Sequence, residues 1–218
     1  MRERPIIFSG PMVRAILDGL KSQTRRIIKL EEFQESTTPG YDYAFRKRGC
    51  WQDVRLKDML APPRGNYPFR CPYGVVGNHL WVRESYCYEM VEGRYVYNEY
   101  GNPHTFYRAD GIDIASVDED GFQKWRKDGM EASPWIPSIH MPRWASRITL
   151  EITDIRPQRL QEISEEDAKA EGIDYDPSAP AALSHRTSFA HLWDSINSKR
   201  SPWNENPWVW VIDFKRII

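Results

Sequence analysis

The sequence predicts a mainly β fold with flanking helices, an α+β class, and three observations carry that expectation. Strand-type patterning recurs at 25–30, 79–88, 148–155 and 208–216, whereas only about three stretches show helical periodicity. Nine tryptophans and eleven tyrosines are a heavy aromatic load for 218 residues. Aromatics at that density suit a β-rich core, and they equally suit stacking on bases. Sixteen prolines and thirteen glycines impose many turns.

Taken in order, Ser9 and Pro11 start a helix as N-cap and early-turn proline. Met12, Ala15, Ile16 and Leu20 follow at helical spacing, and Gly19 is a natural stop. Lys21 to Thr24 then occupies a turn, and a strand leaves it at Arg25. Residues 31–78 are rich in turn signals, as at Ser36–Gly40, Pro62–Gly65 and Cys71–Gly74. A structureless loop of that length would be unusual, so short strands are expected near 44–46 and 51–56.

The stretch from His79 to Tyr86 reads as a strand in which Leu80, Val82, Glu84 and Tyr86 share one face. A carboxylate on an apolar face needs a partner. Either Glu84 pairs with an arginine, or it faces a polar pocket. A hairpin is expected from 94–97 to 105–108 around Tyr100–Pro103, and 110–137 is polar and loop-rich. After the strand at 148–155, Ser164 caps a helix that ends at Glu171 and Gly172. Glu171 therefore stands in a last turn, where the helix dipole disfavours an anion. A broken local rule at a helix end points to function; the plain alternative is a solvated glutamate. Phe189, Leu192, Trp193 and Ile196 mark another amphipathic helix. Residues 208–214 are apolar on both parities, so they read as a central strand. No repeat and no linker divides the chain, which reads as one domain over 1–218.

The net charge of −1 excludes a generic polyanion binder. The distribution is uneven: residues 1–83 hold 15 Lys+Arg against 8 Asp+Glu, and the remainder 15 against 23. Cys50, Cys71 and Cys87 form no CxxC pair, and neither a leader peptide nor a membrane-length apolar run is present. That reads as a reducing, cytoplasmic compartment with free thiols. A three-cysteine metal site with His79 or His140 is the alternative.

The chemistry-bearing stretch is Gly19-Leu20-Lys21-Ser22-Gln23-Thr24-Arg25-Arg26. An amine and a hydroxyl three residues apart can act as base and nucleophile. Adjacent guanidiniums can orient an anionic or planar substrate. Gly19, Lys21, Thr24 and Arg26 complete a Gly-x-Lys-x-x-Thr-x-Arg pattern. With Trp81-Val82-Arg83-Glu84 after a glycine turn and Ala168-x-x-Glu171-Gly172 at a helix end, the chain resembles the ASCH domain family, and within it proteins carried by phages and prophages. That resemblance implies a PUA-like β-barrel with insertions at about 31–75 and 100–137. Some small bacterial ASCH proteins are amidohydrolases that deacetylate N4-acetylcytidine. Carried over by motif, the catalytic set is Lys21, Thr24 and Glu171. Arg25, Arg26, Arg83, Glu84, Arg143, Trp144 and Arg147 are the expected substrate-binding residues, with loops 31–75 and 100–137 bordering the pocket.

Two readings follow. The first is an amide hydrolase on an acylated or modified nucleoside or RNA base, with no cofactor and no metal, working as a monomer away from membranes. The second is a non-catalytic RNA-binding protein or modified-base reader of phage origin. A phage accessory protein that binds a host protein is a weaker third, with no residue arguing for it.

Overall fold

A computed structural model describes residues 2–30, 32–47, 50–60, 70–92, 94–111, 114–117, 123–125, 131–173 and 184–217. These residues form a mixed α+β structure, mostly strands, with four α-helices among them. In chain order they are β1 (Glu3–Ile7), α1 (Gly10–Leu17), β2 (Gln23–Ile27), β3 (Phe33–Glu35), β4 (Tyr43–Lys47), β5 (Cys50–Val54) and α2 (Leu56–Met59). Then follow β6 (His79–Arg83), β7 (Tyr86–Val91), β8 (Arg94–Tyr95), β9 (Thr105–Tyr107), β10 (Ile114–Val117), β11 (Gln123–Trp125) and β12 (Glu131–Ala132). The chain ends with β13 (Thr149–Arg159), α3 (Glu165–Ala170), α4 (His185–Asn197) and β14 (Trp208–Arg216).

The main sheet has the order β1-β6-β13-β14-β2; β1 pairs β6 in parallel and the other pairs are antiparallel. β14 lies between β13 and β2, and each of its faces packs on a core, which is why it is apolar on both parities. Trp210, Ile212 and Phe214 enter one core with Ile6, Leu80, Val82 and the α1 residues Val13 and Ile16. Val209 and Val211 face a second core with Leu160, Ile163, Phe189 and Trp193. The sheet thus separates α1 from α4. No closed barrel is found among the described strands. The open edges β1 and β2 are linked by a 2.6 Å hydrogen bond from the Arg26 guanidinium to the Ile7 carbonyl.

Several expectations change. Leu20 is exposed, and Val13 takes its place in the buried stripe of α1. Thr24 lies within β2 rather than on a turn, opposite Ile212, because β14 recruits the segment: Phe214 N–H donates to the Ser22 carbonyl at 2.8 Å. The strand expected over 79–88 breaks at Glu84–Ser85, where the Glu84 N–H turns to Met141 Sδ and the Ser85 carbonyl accepts from Arg108. β13 runs on to Arg159 through Pro157, which is tolerated because β6 pairs only with Thr149–Glu151. The hairpin forms close to its turn, where Tyr97 and Pro103 make an antiparallel bridge, the His104 N–H donates to the Val96 carbonyl and the Asn98 N–H to the Asn102 carbonyl; farther out, β8 and β9 each pair with β7. The stretch 110–137 contributes β10, β11 and β12 to the sheet of β7.

The described residues of the 31–75 segment join the core. Their β3-β4-β5 sheet sends Phe33, Phe45 and Val54 into the main core with Met59 and Cys71. Among the described residues, no helix is long and apolar enough to cross a membrane.

Candidate functional site

The polar centre of the molecule forms where the end of α3 meets the start of β2. Ser164 caps α3 by accepting from the Asp167 N–H at 3.0 Å. The helix ends at Glu171, and Gly172 turns the chain with φ +77°. That turn lies against Lys21: the two segments form a bridge between Lys21 and Glu171, and the Ser22 N–H donates to the Ala170 carbonyl.

Lys21 is 3 % exposed, and its amine donates to the Glu171 carbonyl at 2.7 Å and to Glu171 Oε2 at 2.6 Å. Burial pushes this amine below its ordinary range; the Glu171 carboxylate opposes the shift, and the charges of Arg26 and Arg25 add to it. Arg25 is buried too. It donates to Glu171 Oε1 at 3.3 Å and to Asp167 Oδ2 at 2.9 Å. Gln23 donates to Asp167 Oδ1 at 3.0 Å and to Asp213 Oδ1 at 2.6 Å, and accepts from Arg25. Burial pushes the Asp167 carboxyl up, but Gln23, Arg25 and Arg156 outweigh it and hold it low. Each buried charge in this network therefore has a partner, as desolvation requires.

A cavity of about 410 Å³ opens beside the network. Thr24, Arg25, Arg26 and Glu171 line one side of it. Met12, Ile27 and Tyr73 also line it, and the α4 residues Phe189, Leu192, Trp193 and Ile196 form an apolar wall. Lys29, Asn197, Arg200 and Ser201 complete the lining. The Arg26 guanidinium lies 5.1 Å from the Phe8 ring centre, and its Nε has no hydrogen-bond partner. The Thr24 hydroxyl has none among the described residues either, so Lys21 is joined to Glu171 and not to Thr24.

The structure thus brings Lys21, Thr24, Glu171, Arg25 and Arg26 together. It does not bring the other expected substrate-binding residues to them, and none of those lines this cavity. Glu84 is 2 % exposed and held by Arg147 at 3.0 and 3.1 Å, which settles its partner as an arginine. Arg147 also bonds Asp110 and lies over the Tyr107 ring. Burial raises the Glu84 carboxyl against the pull of Arg147. Arg143 grips Glu3 with two hydrogen bonds. Arg83 donates to the Ile139 carbonyl and lies over Trp81. Trp144 is exposed and stacks on Tyr88.

Of the expected pocket borders, 31–75 contributes Tyr73 here, and described residues of 100–137 contribute nothing. The three thiols lie apart: Cys50 is exposed, and Cys71 and Cys87 are buried, with burial raising their pKa to about 11 and about 12. Among the described residues no cluster of His, Cys, Asp or Glu forms a metal site.

Sequence reasoning missed two parts of the site. Gln23 and Asp167 hold the charge network, and the spacing of Asp167 four residues before Glu171 was the available signal, since it puts both carboxylates on one helix face. The apolar wall was read only as an amphipathic helix, and nothing in its periodicity says which cavity it faces. Comparison of the chain with protein-family models, with curated proteins and with solved structures returns no match.

Proposed function

We propose that the chain is an amide hydrolase acting on an acylated or modified nucleobase, of the N4-acetylcytidine type, on a PUA-like scaffold of the ASCH kind. The observation that carries the reading is the placement of Lys21, buried beside Thr24 in sequence with its amine held by Glu171. A neutral amine has two N–H groups and one lone pair. Both hydrogen bonds that Lys21 makes go to Glu171, so the lone pair of the neutral form stays available to accept a proton. Burial favours that neutral form.

In this reading Thr24 Oγ1 attacks the amide carbonyl, and its proton passes to Lys21. The tetrahedral oxyanion faces the unpartnered Arg26 Nε. Collapse expels the amine of the base, which takes the proton back from Lys21 with Glu171 holding the ammonium. Water then cleaves the acyl–threonine ester and restores the hydroxyl. The aromatic and aliphatic lining from α4, with Phe189 and Trp193 in it, suits the apolar face of a planar base. The scaffold reading draws support from α1 and the Arg26–Ile7 bond, which span the open edge between β1 and β2.

One observation favours the alternative, a modified-base reader: Lys21 makes no hydrogen bond to Thr24. The two separate on a panel of acylated nucleosides and modified RNAs with product detection by mass. Release of the acyl group, lost in Lys21→Ala and in Thr24→Ala, is the expected result. Tight RNA binding with no released acid on any member of the panel replaces the hydrolase by the reader.

A further inference from the structure

We propose that Lys29 and Arg200 form a phosphate subsite at the mouth of the cavity, so that its ligand is a nucleotide and not a free nucleoside. The inference rests on the nucleobase reading above and adds a group to the ligand. The cations that line this cavity, with the buried Lys21 beside them, fall into two kinds. Lys21, Arg25 and Arg26 are engaged by Glu171, by Asp167 and Glu171, and by the Ile7 carbonyl. Lys29 and Arg200 line the same cavity, are exposed, and have no side-chain partner among the described residues. Several exposed arginines elsewhere do pair, as Arg46 with Glu32, Arg55 with Asp58 and Arg143 with Glu3. Lys57, Arg94, Lys169 and Lys199 are likewise exposed without a side-chain partner among the described residues; what sets Lys29 and Arg200 apart is that both line this cavity.

Their position fits a phosphate. Lys29 and Ser201 also line a second cavity of about 850 Å³, so the lysine stands where the two spaces meet. The carboxylates of the second cavity are Glu32, held by Arg46, and Glu205; Arg159 faces the same space. Lys29 follows Thr24 by five residues, a reach of at most about 18 Å along the chain. A base lying on the α4 wall with its acyl group at Thr24 directs its sugar along that path, and the next group outward meets the lysine. Arg200 supplies a planar fork for phosphate oxygens and Lys29 a point charge, while the Ser201 hydroxyl adds a donor.

The test is calorimetric binding to the Thr24→Ala variant, which holds ligand without turning it over. Lys21→Met serves if that variant misfolds. The probes are N4-acetylcytidine, its 5′-monophosphate, and a single-stranded trinucleotide with the acetylated base in the middle. At low salt the phosphate-bearing probes are expected to bind about tenfold more tightly than the nucleoside. The advantage shrinks at about 0.5 M salt and disappears when Lys29→Ala and Arg200→Ala are added. A gain for the monophosphate identifies a terminal phosphate as the occupant, and a gain confined to the trinucleotide identifies a backbone diester. Equal affinity for all three probes, an advantage that survives the added substitutions, or binding of none overturns the subsite. Hydrolysis of the nucleoside with equal affinities sinks the subsite and leaves the hydrolase standing; phosphate-dependent binding without hydrolysis does the reverse.

Discussion

Replacing Gly172 by alanine is expected to loosen the joint that holds the buried amine of Lys21 against Glu171. Gly172 has φ +77°, and a Cβ built there would lie 2.8 Å from the Cβ atoms of both Ala15 and Lys21. Those atoms belong to buried residues on α1 and at the entry to β2, so neither can retreat without moving its backbone. The left-handed backbone costs an alanine about 1–2 kcal/mol, and the overlap adds about 1–3 kcal/mol. The expected loss of stability is therefore about 2–5 kcal/mol. Gly19 supplies the control, because its φ is +75° and nothing stands within 4 Å of its Cβ position. Gly19→Ala should lose only the backbone share, about 1–2 kcal/mol. Urea unfolding followed by tryptophan fluorescence measures both, provided the slope with denaturant stays constant. If the two variants agree within about 0.5 kcal/mol, the close approach of the α3 turn to Lys21 is not a constraint and the argument fails.

Lys21→Ala and Thr24→Ala should each remove turnover, by about 10²–10⁴-fold for the base. Stopped assays on the double variant should show little further loss, since residues acting as a unit are non-additive. In protein carrying ¹³C-labelled lysine, Lys21 should titrate below the surface lysines, and Glu171→Gln should lower it further by removing the carboxylate that opposes burial. Because folded Lys21 gives up its proton at lower pH than unfolded Lys21, its contribution to stability grows as pH rises through the folded pKa and levels off at the unfolded one; Lys21→Met should flatten that slope in unfolding measured against pH. Arg147→Met should cost about 3 kcal/mol by stranding Glu84, and Glu84→Gln added to it should recover part of the loss in the same urea assay. A stability unchanged by Arg147→Met would return Glu84 and Arg147 to the list of candidate ligand contacts.

How much of the site was legible in the sequence differs residue by residue. Lys21, Thr24 and Glu171 could be picked out because their oddities are local: an amine and a hydroxyl in one short motif, and an acid at the wrong end of a helix. Their association was expected only from the family resemblance and not from any local pattern, because Glu171 comes 150 residues after Lys21 and meets it only through the hydrogen bonds of a turn. The same limit applies to Arg143, Trp144 and Arg147, which do not line this cavity. Their composition suits a ligand, yet Arg143 and Arg147 are taken by Glu3, Glu84 and Asp110, and Trp144 lies on Tyr88.

By itself the sequence determined the α+β class, the central position of β14, the cap of α3 and the stops at Gly19 and Gly172. Each of these rests on side-chain period or on the backbone freedom of one residue, and both act within a few positions along the chain. The tertiary structure alone decided that Thr24 would be pulled into β2, that segment 31–75 would pack into the core, and that α4 would wall the cavity. It also decided which charges would be spent on one another. Those outcomes depend on which partners reach a group first as water is excluded, and the pairing of a buried charge is a property of the whole packed molecule.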